Sequence, residues 1–325
     1  MISDNLRSLK KAVRQVLSPV PVRLSKNQKQ IGVTDLALVE KSIRLNYHTG
    51  WRAESTYSPD SYRSDLEDHL YKRLELDRTT NIPWLDSVCS LPGKKILEIG
   101  CGTGSSTVAL AEQGAKVIGI DIDEDALRVA CDRCRIYDVD AEVIALRAED
   151  IAESFGADAF DVIVFFASLE HMTIAERLRA LRSAWTALRT GGALAIVETP
   201  NRLWYFDEHT SRLPFFHWLP DELAFEYSQF SPRQNFNNLY RLRDASSEDH
   251  FLRRGRGVSF HEFDIAIDRV QNLHVVSSLS AYQGIVRRLR TSVLDRRYKA
   301  ILKVVHAGVH DGFFDPNLDL VIEKR

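Results

Sequence analysis

A turn with three glycines spaced two residues apart constrains this chain more than any other stretch of its sequence. The short apolar run 95–99 leads into Gly100, Gly102 and Gly104, and a helical pattern begins directly after them. This order predicts a buried strand, a tight turn and the N-terminus of a helix. Glycine tolerates the positive φ of such a turn, and the free N–H groups of the helix start face any ligand bound there. The turn therefore predicts a site for a nucleotide-like ligand.

Two common glycine-rich motifs do not match this turn. The dinucleotide fingerprint G-x-G-x-x-G needs a glycine at position 105, where this chain has Ser105. The phosphate-binding loop G-x-x-x-x-G-K-[ST] needs a lysine after the glycines, and none follows. A second predicted strand, 116–120, ends at Asp121, and a carboxylate in that place can accept hydrogen bonds from both hydroxyls of a ribose.

The run from Leu97 to Gly104 (L-E-I-G-C-G-T-G) and the run from Val117 to Asp121 (V-I-G-I-D) carry a family resemblance. Together they resemble the class I S-adenosylmethionine-dependent methyltransferases over roughly residues 94–200. The resemblance implies an α/β, Rossmann-like, seven-stranded and mostly parallel sheet with helices on both faces. It also implies S-adenosyl-L-methionine as the cofactor. The cofactor contacts that it implies are Glu98, Gly100, Cys101, Gly102, Gly104, Asp121, Ile122, Ala148, Glu149 and Ser168. The adenine contact is expected at Glu149 or Asp150, although Arg147 stands where many relatives carry an aspartate.

The order of the predicted elements divides the chain into four parts. Strands and helices alternate from residue 94, which is typical of a parallel sheet covered on both faces. We expect a helical lid or accessory segment at 1–90, a cofactor-binding core at 91–201 and a helical insert over the substrate site at 202–258. Residues 259–325 are expected to complete the sheet with a basic helix at about 285–305 and an antiparallel last strand.

The end of the fourth predicted strand carries the candidate catalytic residues, Glu170 and His171. Open α/β sheets bind ligands at this edge, and a histidine with a pKa near neutral can act as general base for an oxygen acceptor. The stretch resembles the ubiquinone-pathway O-methyltransferases, in which a Glu-x-x-Glu-His cluster is linked to a metal. Ala167 occupies the first position here, so we predict His171 as base without an obligatory metal. Glu170 is expected to orient the loop or cap the next helix; the alternative is that His171 only packs.

The methyl acceptor is expected to be a small molecule or a lipid-linked or glycan-linked molecule. Arginines in the insert and the C-terminal helix suit an anionic acceptor, and a solvated charged face explains them as well. Tyr57, Tyr62 and Trp204 are candidate substrate contacts, or ordinary core aromatics. Nucleic acid is not expected, because the net charge is −2 and no nucleic-acid-binding module is visible. An NAD(P)-binding oxidoreductase and a non-catalytic cofactor-binding protein stay open as alternatives.

Composition and terminal patterns predict a cytoplasmic protein. No apolar run approaches the roughly 20 residues of a membrane span, and no signal peptide is visible. Cys131 and Cys134 form a C-x-x-C without a second Cys or His pair, so we expect packing thiols rather than a zinc site. Residues 5–17 predict a basic amphipathic helix within the segment 1–17. This segment is expected to act either as a peripheral contact with the inner face of the membrane or as a lid or arm.

Overall fold

The computed structural model describes residues 25–56, 58–233, 236–237, 240 and 247–325. Two sequence expectations, the basic helix at 5–17 and the substrate contact at Tyr57, lie outside these residues. In the described part of the chain, no helix has both the length and the apolar composition that crossing a membrane requires.

A seven-stranded sheet in the order β3-β2-β1-β4-β5-β7-β6 forms the centre of the molecule. Strand β7 pairs antiparallel with β5 and β6, and the other pairs are parallel. The strands are β1 (Lys95–Ile99), β2 (Lys116–Asp121), β3 (Ala141–Ala145), β4 (Phe160–Phe166), β5 (Leu188–Pro200), β6 (His274–Ser278) and β7 (Asn317–Glu323). This confirms the predicted Rossmann-like fold. The chain order reverses between β1 and β4, which is where such sheets bind ligands.

Helices cover both faces of the sheet because its strands are apolar on both sides. Along β1, Leu97 and Ile99 pack into one core and Ile96 into the other, as the alternation of a strand requires. The helices are α1 (Val33–Ser42), α2 (Pro59–Glu67), α3 (Arg73–Leu76), α4 (Ile82–Cys89), α5 (Ser105–Ala111), α6 (Glu124–Ile136), α7 (Ile151–Phe155), α8 (Ile174–Ala187), α9 (Asp221–Tyr227), α10 (Ser247–Leu252), α11 (Phe260–Ala266), α12 (Leu279–Arg290) and α13 (Val293–Val305).

A nearly continuous helical run from α2 to α4 lies against the glycine turn. Wider π-helical turns at Asp68–Lys72 and Asp77–Asn81 join its parts. The buried guanidinium of Arg133, on α6, ties this run to the turn. It donates hydrogen bonds to the carbonyl oxygens of Thr103 (2.8 Å), Leu70 (3.3 Å) and His69 (2.5 Å). Burial lowers the pKa of Arg133 to about 10, so the group stays charged at neutral pH.

Two helical expectations need correction. The single basic helix expected at 285–305 is wrong: α12 ends at Arg290, and α13 starts anew behind a capping box between Ser292 and Asp295. Gly284, at φ +54°, kinks α12 as well. In the described part of the insert the helices are short, α9 and α10 among them, and a small aromatic core that includes Phe216 and Phe251 holds it together. The first departure has a local cause, a cap and a kink, whereas the second follows from tertiary packing of aromatic side chains.

Replacing Arg133 by leucine is expected to lower the free energy of unfolding by about 3 kcal/mol, because three buried carbonyl groups lose a charged donor. Urea denaturation measures this loss. Arg135→Leu is the matched control, since Arg135 lies on the same helix but is exposed and pairs with Asp132 on the surface. It is expected to change the free energy by about 0.5 kcal/mol or less. Equal losses in the two variants would contradict the role given to Arg133.

Candidate functional site

The backbone of the glycine turn is held from beneath by buried protein groups. The N–H groups of Gly100 and Cys101 donate to the carbonyl oxygen of Ile120 at 2.8 and 3.1 Å. Glu98, fully buried, accepts hydrogen bonds from the hydroxyls of Ser106 and Thr107 on α5. Burial raises the pKa of Glu98 to about 7. In this geometry Glu98 fastens the helix start to the strand, so its effect on a ligand is exerted through the shape of the turn.

The three glycines of the turn meet different surroundings. A Cβ on Gly100 would lie 2.4 Å from the Cβ of Ser168, and a Cβ on Gly104 would lie 2.9 Å from the Cα of Ala130. A Cβ on Gly102 would meet no atom within 4 Å. Gly100 and Gly104 therefore serve close packing, whereas Gly102 borders open space that a ligand can occupy.

Asp121 stands at the end of β2 beside this open space. Its two carboxylate oxygens accept the N–H groups of Gly102 (2.9 Å) and Asp123 (3.0 Å), and burial raises its pKa. Each oxygen keeps a further lone pair for a ligand hydroxyl. The neighbouring Ile122 is 60% exposed, which puts an aliphatic surface next to the carboxylate. A polar and an apolar contact thus stand side by side at the rim of the turn.

The segment expected to meet the adenine follows β3. The N–H of Leu146 donates to the carbonyl oxygen of Asp121 at 3.1 Å, which keeps this segment next to β2. Ala148 is buried, and the carboxylate of Glu149 accepts hydrogen bonds from Arg147 (2.8 Å) and Arg179 (3.4 Å). Partial burial alone would raise the pKa of Glu149, but the hydrogen bond from Arg147 holds this pKa below its ordinary value. The carboxylate of Glu149 is thus already engaged by two guanidinium groups.

Left-handed residues stand near the carboxyl ends of β4 and β5, at the edge nearest the glycine turn: Ala167 directly follows β4, and Glu198 lies two residues before the end of β5. Ala167 has φ +40° and Glu198 has φ +57°. Such strain in residues other than glycine clusters at functional sites. Next to Ala167, the hydroxyl of Ser168 is buried and has no hydrogen-bond partner among the described residues. Ser105, at the start of α5, has a hydroxyl in the same condition. The edge therefore presents polar atoms that a ligand can satisfy.

Glu170 lies in the interior, in a place that the sequence did not lead us to expect. It does not cap α8, which begins with a capping box between Thr173 and Glu176. Its carboxylate is fully buried; Oε2 accepts the Thr199 hydroxyl at 3.4 Å, and Oε1 has no hydrogen-bond partner among the described residues. Burial raises the pKa of Glu170 to about 8. The ionisation of a buried carboxylate with one oxygen unpaired is sensitive to any positive charge that comes near it.

Two histidine rings face the unused oxygen of Glu170. Its Oε1 lies 3.9 Å from Nε2 of His171 and 3.8 Å from Nε2 of His209. Nδ1 of His171 lies 2.7 Å from the carbonyl oxygen of Arg253 and so carries the proton, which leaves Nε2 as the acceptor in the neutral ring. Desolvation lowers the pKa of both rings to about 4. The side chains remain 44% and 37% exposed, so both rings are reachable from the cleft.

Sequence reasoning missed His209, because no spacing links it to His171. It comes from the insert, on a loop fixed by Asp207. The carboxylate of Asp207 accepts the N–H groups of His209 (3.0 Å), Thr210 (2.8 Å) and Ser211 (2.7 Å). An Asp followed by such polar residues is the pattern of an Asx turn, which was the available sign that this loop is rigid.

A buried arginine, Arg177 on α8, joins this cluster to the end of the insert. Its guanidinium donates to the carbonyl oxygens of Glu170 (3.1 Å), Arg256 (2.6 Å) and Gly257 (3.1 Å). It also reaches Met172, whose carbonyl oxygen accepts from Nε at 2.9 Å. The strand-end loop and the insert are therefore held in one fixed arrangement.

The two described candidate substrate residues pack inside the protein. Tyr62 is buried against His48, with ring centroids 4.8 Å apart, and its hydroxyl accepts from Arg44 at 2.9 Å. Trp204 is 5% exposed and packs edge-on against Tyr298. Both contacts match the alternative reading of these residues as core aromatics.

No metal cluster is evident in the described ranges. No three His, Cys, Asp or Glu side chains there are placed to hold an ion. All four cysteines are free thiols; Cys131 is exposed and Cys134 is buried on the same helix. The expected packing role therefore fits Cys134, which lies in a core of the sheet, and is wrong for the exposed Cys131.

Comparison with known proteins places the matching region over the glycine turn, strands β1 to β4 and the start of β5. Residues 96–192 match the family described as a methyltransferase domain. The chain is 33% identical over 145 residues to the ubiquinone biosynthesis O-methyltransferase of Pseudomonas entomophila, which covers 45% of this chain and 55% of that protein. It is 39% identical over 106 residues to the protein of the same name from Thiobacillus denitrificans, covering 31% and 44%. The chain thus spans about half the length of the curated relatives it matches.

Among solved structures, the chain is similar to an S-adenosylmethionine-dependent methyltransferase from Methanosarcina mazei. The two are 32% identical, with a TM-score of 0.31, and the match covers 34% of this chain and 54% of that one.

The open space above Gly102 predicts a clear difference between two glycine variants. Gly102→Ala is expected to lower the affinity for S-adenosylmethionine by about tenfold or more, because the added methyl group enters the space left for a ligand. Calorimetric titration measures this affinity. Gly104→Ala is the comparison, since its methyl group meets the backbone of Ala130 and is expected to lower the melting temperature more than Gly102→Ala does. A larger loss of stability at Gly102 than at Gly104 would contradict this account.

Removing the carboxylate of Asp121 is expected to weaken binding of S-adenosylmethionine by about 2–3 kcal/mol, because two charge-assisted hydrogen bonds are lost. The Asp121→Ala variant is titrated calorimetrically. Asp125→Ala serves as control, since Asp125 is an exposed carboxylate four residues away that pairs with Arg128. Unchanged affinity in Asp121→Ala, with the fold intact by circular dichroism, would refute the assignment of the ribose contact.

Proposed function

We propose that this chain is an S-adenosylmethionine-dependent methyltransferase that methylates a hydroxyl group of a small or lipid- or glycan-linked acceptor; the match of residues 96–192 to a methyltransferase domain supports this proposal. The observation that carries the proposal is the cluster of Glu170, His171 and His209 at the sheet edge next to the glycine turn. A hydroxyl acceptor needs a base at this edge, and the cluster supplies one. The matched domain does not favour an NAD(P)-dependent oxidoreductase.

The residues around the turn fit the cofactor. Gly102 borders open space, Asp121 offers carboxylate lone pairs for ribose hydroxyls, and Ile122 offers an apolar surface beside them. The buried hydroxyls of Ser105 and Ser168, which have no partner among the described residues, gain one from a polar ligand. When bound, S-adenosylmethionine supplies an electrophilic methyl group. The residues of the chain then position the acceptor and take up its proton.

In the proposed reaction, His171 takes the proton of the acceptor hydroxyl on Nε2. Its Nδ1 is already committed to the carbonyl oxygen of Arg253, so Nε2 is the free acceptor. The ring is neutral at physiological pH because desolvation lowers its pKa to about 4. A low pKa alone makes it a weak base, so a second group has to stabilise the protonated ring as it forms.

Glu170 is proposed to provide that stabilisation. Its buried Oε1 lies 3.9 Å from Nε2 of His171, and an ionised carboxylate at that distance in a buried site favours the imidazolium. Burial raises the pKa of Glu170 to about 8, so the ionised fraction grows as pH rises through that value. His209, equally close to Oε1, is proposed to hold the acceptor oxygen from the other side. The strength of His171 as a base then depends on the ionisation of its neighbour.

Two observations bear on the chemical class of the acceptor. The curated relatives are named O-methyltransferases, which supports an oxygen acceptor. The exposed Arg73, on α3, lies near enough for its charge to add to the desolvation that lowers the pKa of His171 and His209. A guanidinium whose charge acts on the proposed base suits a carboxylate or phosphate group on the acceptor.

The proposed pairing predicts an alkaline rise in activity. The turnover rate is expected to increase about tenfold per pH unit below a pH of about 8 and to level off above it, because the ionised form of Glu170 is the active one. Glu170→Gln is expected to abolish this rise and to lower the rate at alkaline pH. Labelled S-adenosylmethionine with fractionated cell extract identifies the acceptor first, and rates then follow across pH. A pH-dependent rise unchanged in Glu170→Gln would refute the pairing.

Replacing His171 by alanine is expected to reduce turnover by about 10²–10⁴ with little change in cofactor affinity, because the proton acceptor is lost. His261→Ala is the matched control, since His261 is exposed and stacks on Phe260 outside the cluster. Turnover is measured at saturating acceptor, and cofactor affinity by titration. Full activity in His171→Ala would mean that methyl transfer proceeds by proximity alone.

A further inference from the structure

Helix α13 contacts the rest of the protein through one side only of its described surface. The Tyr298 hydroxyl donates to the carbonyl oxygen of Leu203 at 2.8 Å, and the Tyr205 hydroxyl donates to Asp295 at 2.7 Å. Lys299 pairs with Asp315 at 2.7 Å on the same side. These contacts, at spacings of three and four residues, fix which side of the helix faces the protein.

The outward side of α13 carries a stripe of exposed aliphatic side chains. Leu294, Ile301 and Val305 follow one another at spacings of seven and four residues and are 60%, 59% and 68% exposed. Val293 and Val304 flank them at 56% and 82%. Surface helices of soluble proteins normally turn such a stripe toward the core, so an outward stripe of this length calls for a partner.

The second half of α12 carries the same pattern. Beyond the kink at Gly284, Ile285 and Leu289 stand four residues apart and are 76% and 60% exposed. We call the exposed aliphatic side chains of α12 and α13 the C-terminal apolar face. It spans two consecutive helices and belongs to neither of the two cores of the sheet.

Positive charge accompanies this face. Residues 285–305 contain seven Lys and Arg against the single Asp295, a net charge of +6 in a chain whose net charge is −2. Arg287, Arg296 and Arg297 are exposed. Within the described ranges, no carboxylate pairs with Arg297. The segment therefore concentrates positive charge in a protein that is otherwise acidic.

We propose that the C-terminal apolar face docks on the surface of an anionic lipid bilayer. Helices that lie in a membrane interface combine an aliphatic side, which enters the acyl boundary, with Lys and Arg that meet anionic headgroups. A second copy of the chain fits less well, because a two-fold contact would bring two segments of charge +6 together. The charge of the face complements a phosphate-rich surface.

The inner side of α13 links this surface to the proposed acceptor site. Tyr298 holds the segment that begins at Leu203, and six residues later the same segment delivers His209 to the cluster around Glu170. A bilayer bound to the outer side would thus lie against the element that borders the acceptor site. Binding itself does not depend on the proposed reaction, so the two proposals can fail separately.

Co-sedimentation of the full chain with lipid vesicles tests the proposal. The protein is expected to sediment with vesicles of phosphatidylcholine and phosphatidylglycerol but not with phosphatidylcholine alone, and salt is expected to reduce binding. The double variant Ile301→Asp, Val305→Asp is expected to bind these vesicles with an affinity lower by about tenfold or more. Ile265→Asp is the matched control, because Ile265 on α11 is 61% exposed, against 59% for Ile301. Its binding is expected to equal that of the unmodified chain.

Three outcomes would overturn the proposal. If the double variant binds anionic vesicles as tightly as the control does, the C-terminal apolar face does not contact the bilayer. Loss of binding only when residues 1–17 are deleted would assign the contact to that segment. A dimer that the double variant converts to a monomer, seen by light scattering, would assign the face to a second copy. Circular dichroism of each variant confirms that the fold is intact.

Discussion

The buried guanidinium of Arg177 is the interaction on which the proposed acceptor site depends. It binds the carbonyl oxygens of Glu170 and Met172 on one side and those of Arg256 and Gly257 on the other. The first pair belongs to the loop after β4, and the second belongs to the end of the insert. Without that charge, the carbonyl group of Met172 and those of Arg256 and Gly257, some 85 residues later, would lose their donor. A backbone hydrogen bond from the Arg256 N–H to the Glu170 carbonyl oxygen, at 2.9 Å, joins the same two segments, so the guanidinium and the backbone together hold the loop after β4 against the end of the insert.

Buried carboxylates gather along the same edge of the sheet. Burial raises the pKa of Glu98 to about 7, of Asp319 to about 7 and of Glu170 to about 8. The carboxylate of Asp319 accepts the N–H of Glu198 at 2.7 Å, and Glu198 is one of the two left-handed residues at this edge. Titratable groups with perturbed pKa values cluster at functional sites more than in structural cores. Asp319 also supports the backbone of β5, whereas Glu98 and Glu170 accept hydrogen bonds from side-chain hydroxyls, so all three carboxylates have a structural role at this edge as well as an electrostatic one.

Much of the fold could be predicted from the sequence because its signals are local. The runs around Gly100 and Asp121 combine strand periodicity, turn glycines and helix starts, and all of these act within a few residues. The position of Glu170 could not be predicted in this way. Its neighbour in space, His209, is 39 residues away in sequence, on a loop built by aromatic packing and one Asx turn. The break between α12 and α13 was also missed, although the capping box at Ser292 was visible in the sequence.

The tie between Arg133 and the glycine turn has a consequence for how the molecule opens. Arg133 bonds both the turn, at Thr103, and the helical run, at His69 and Leu70, and the ring of His69 also contacts the Thr103 hydroxyl at 3.1 Å. The turn and the run therefore cannot open independently without breaking the same bonds. Any ligand that binds the closed turn shifts the opening equilibrium of both. Such a linkage would slow the exchange of amide hydrogens across residues 59–89 when a ligand binds, although most of these residues do not touch the ligand.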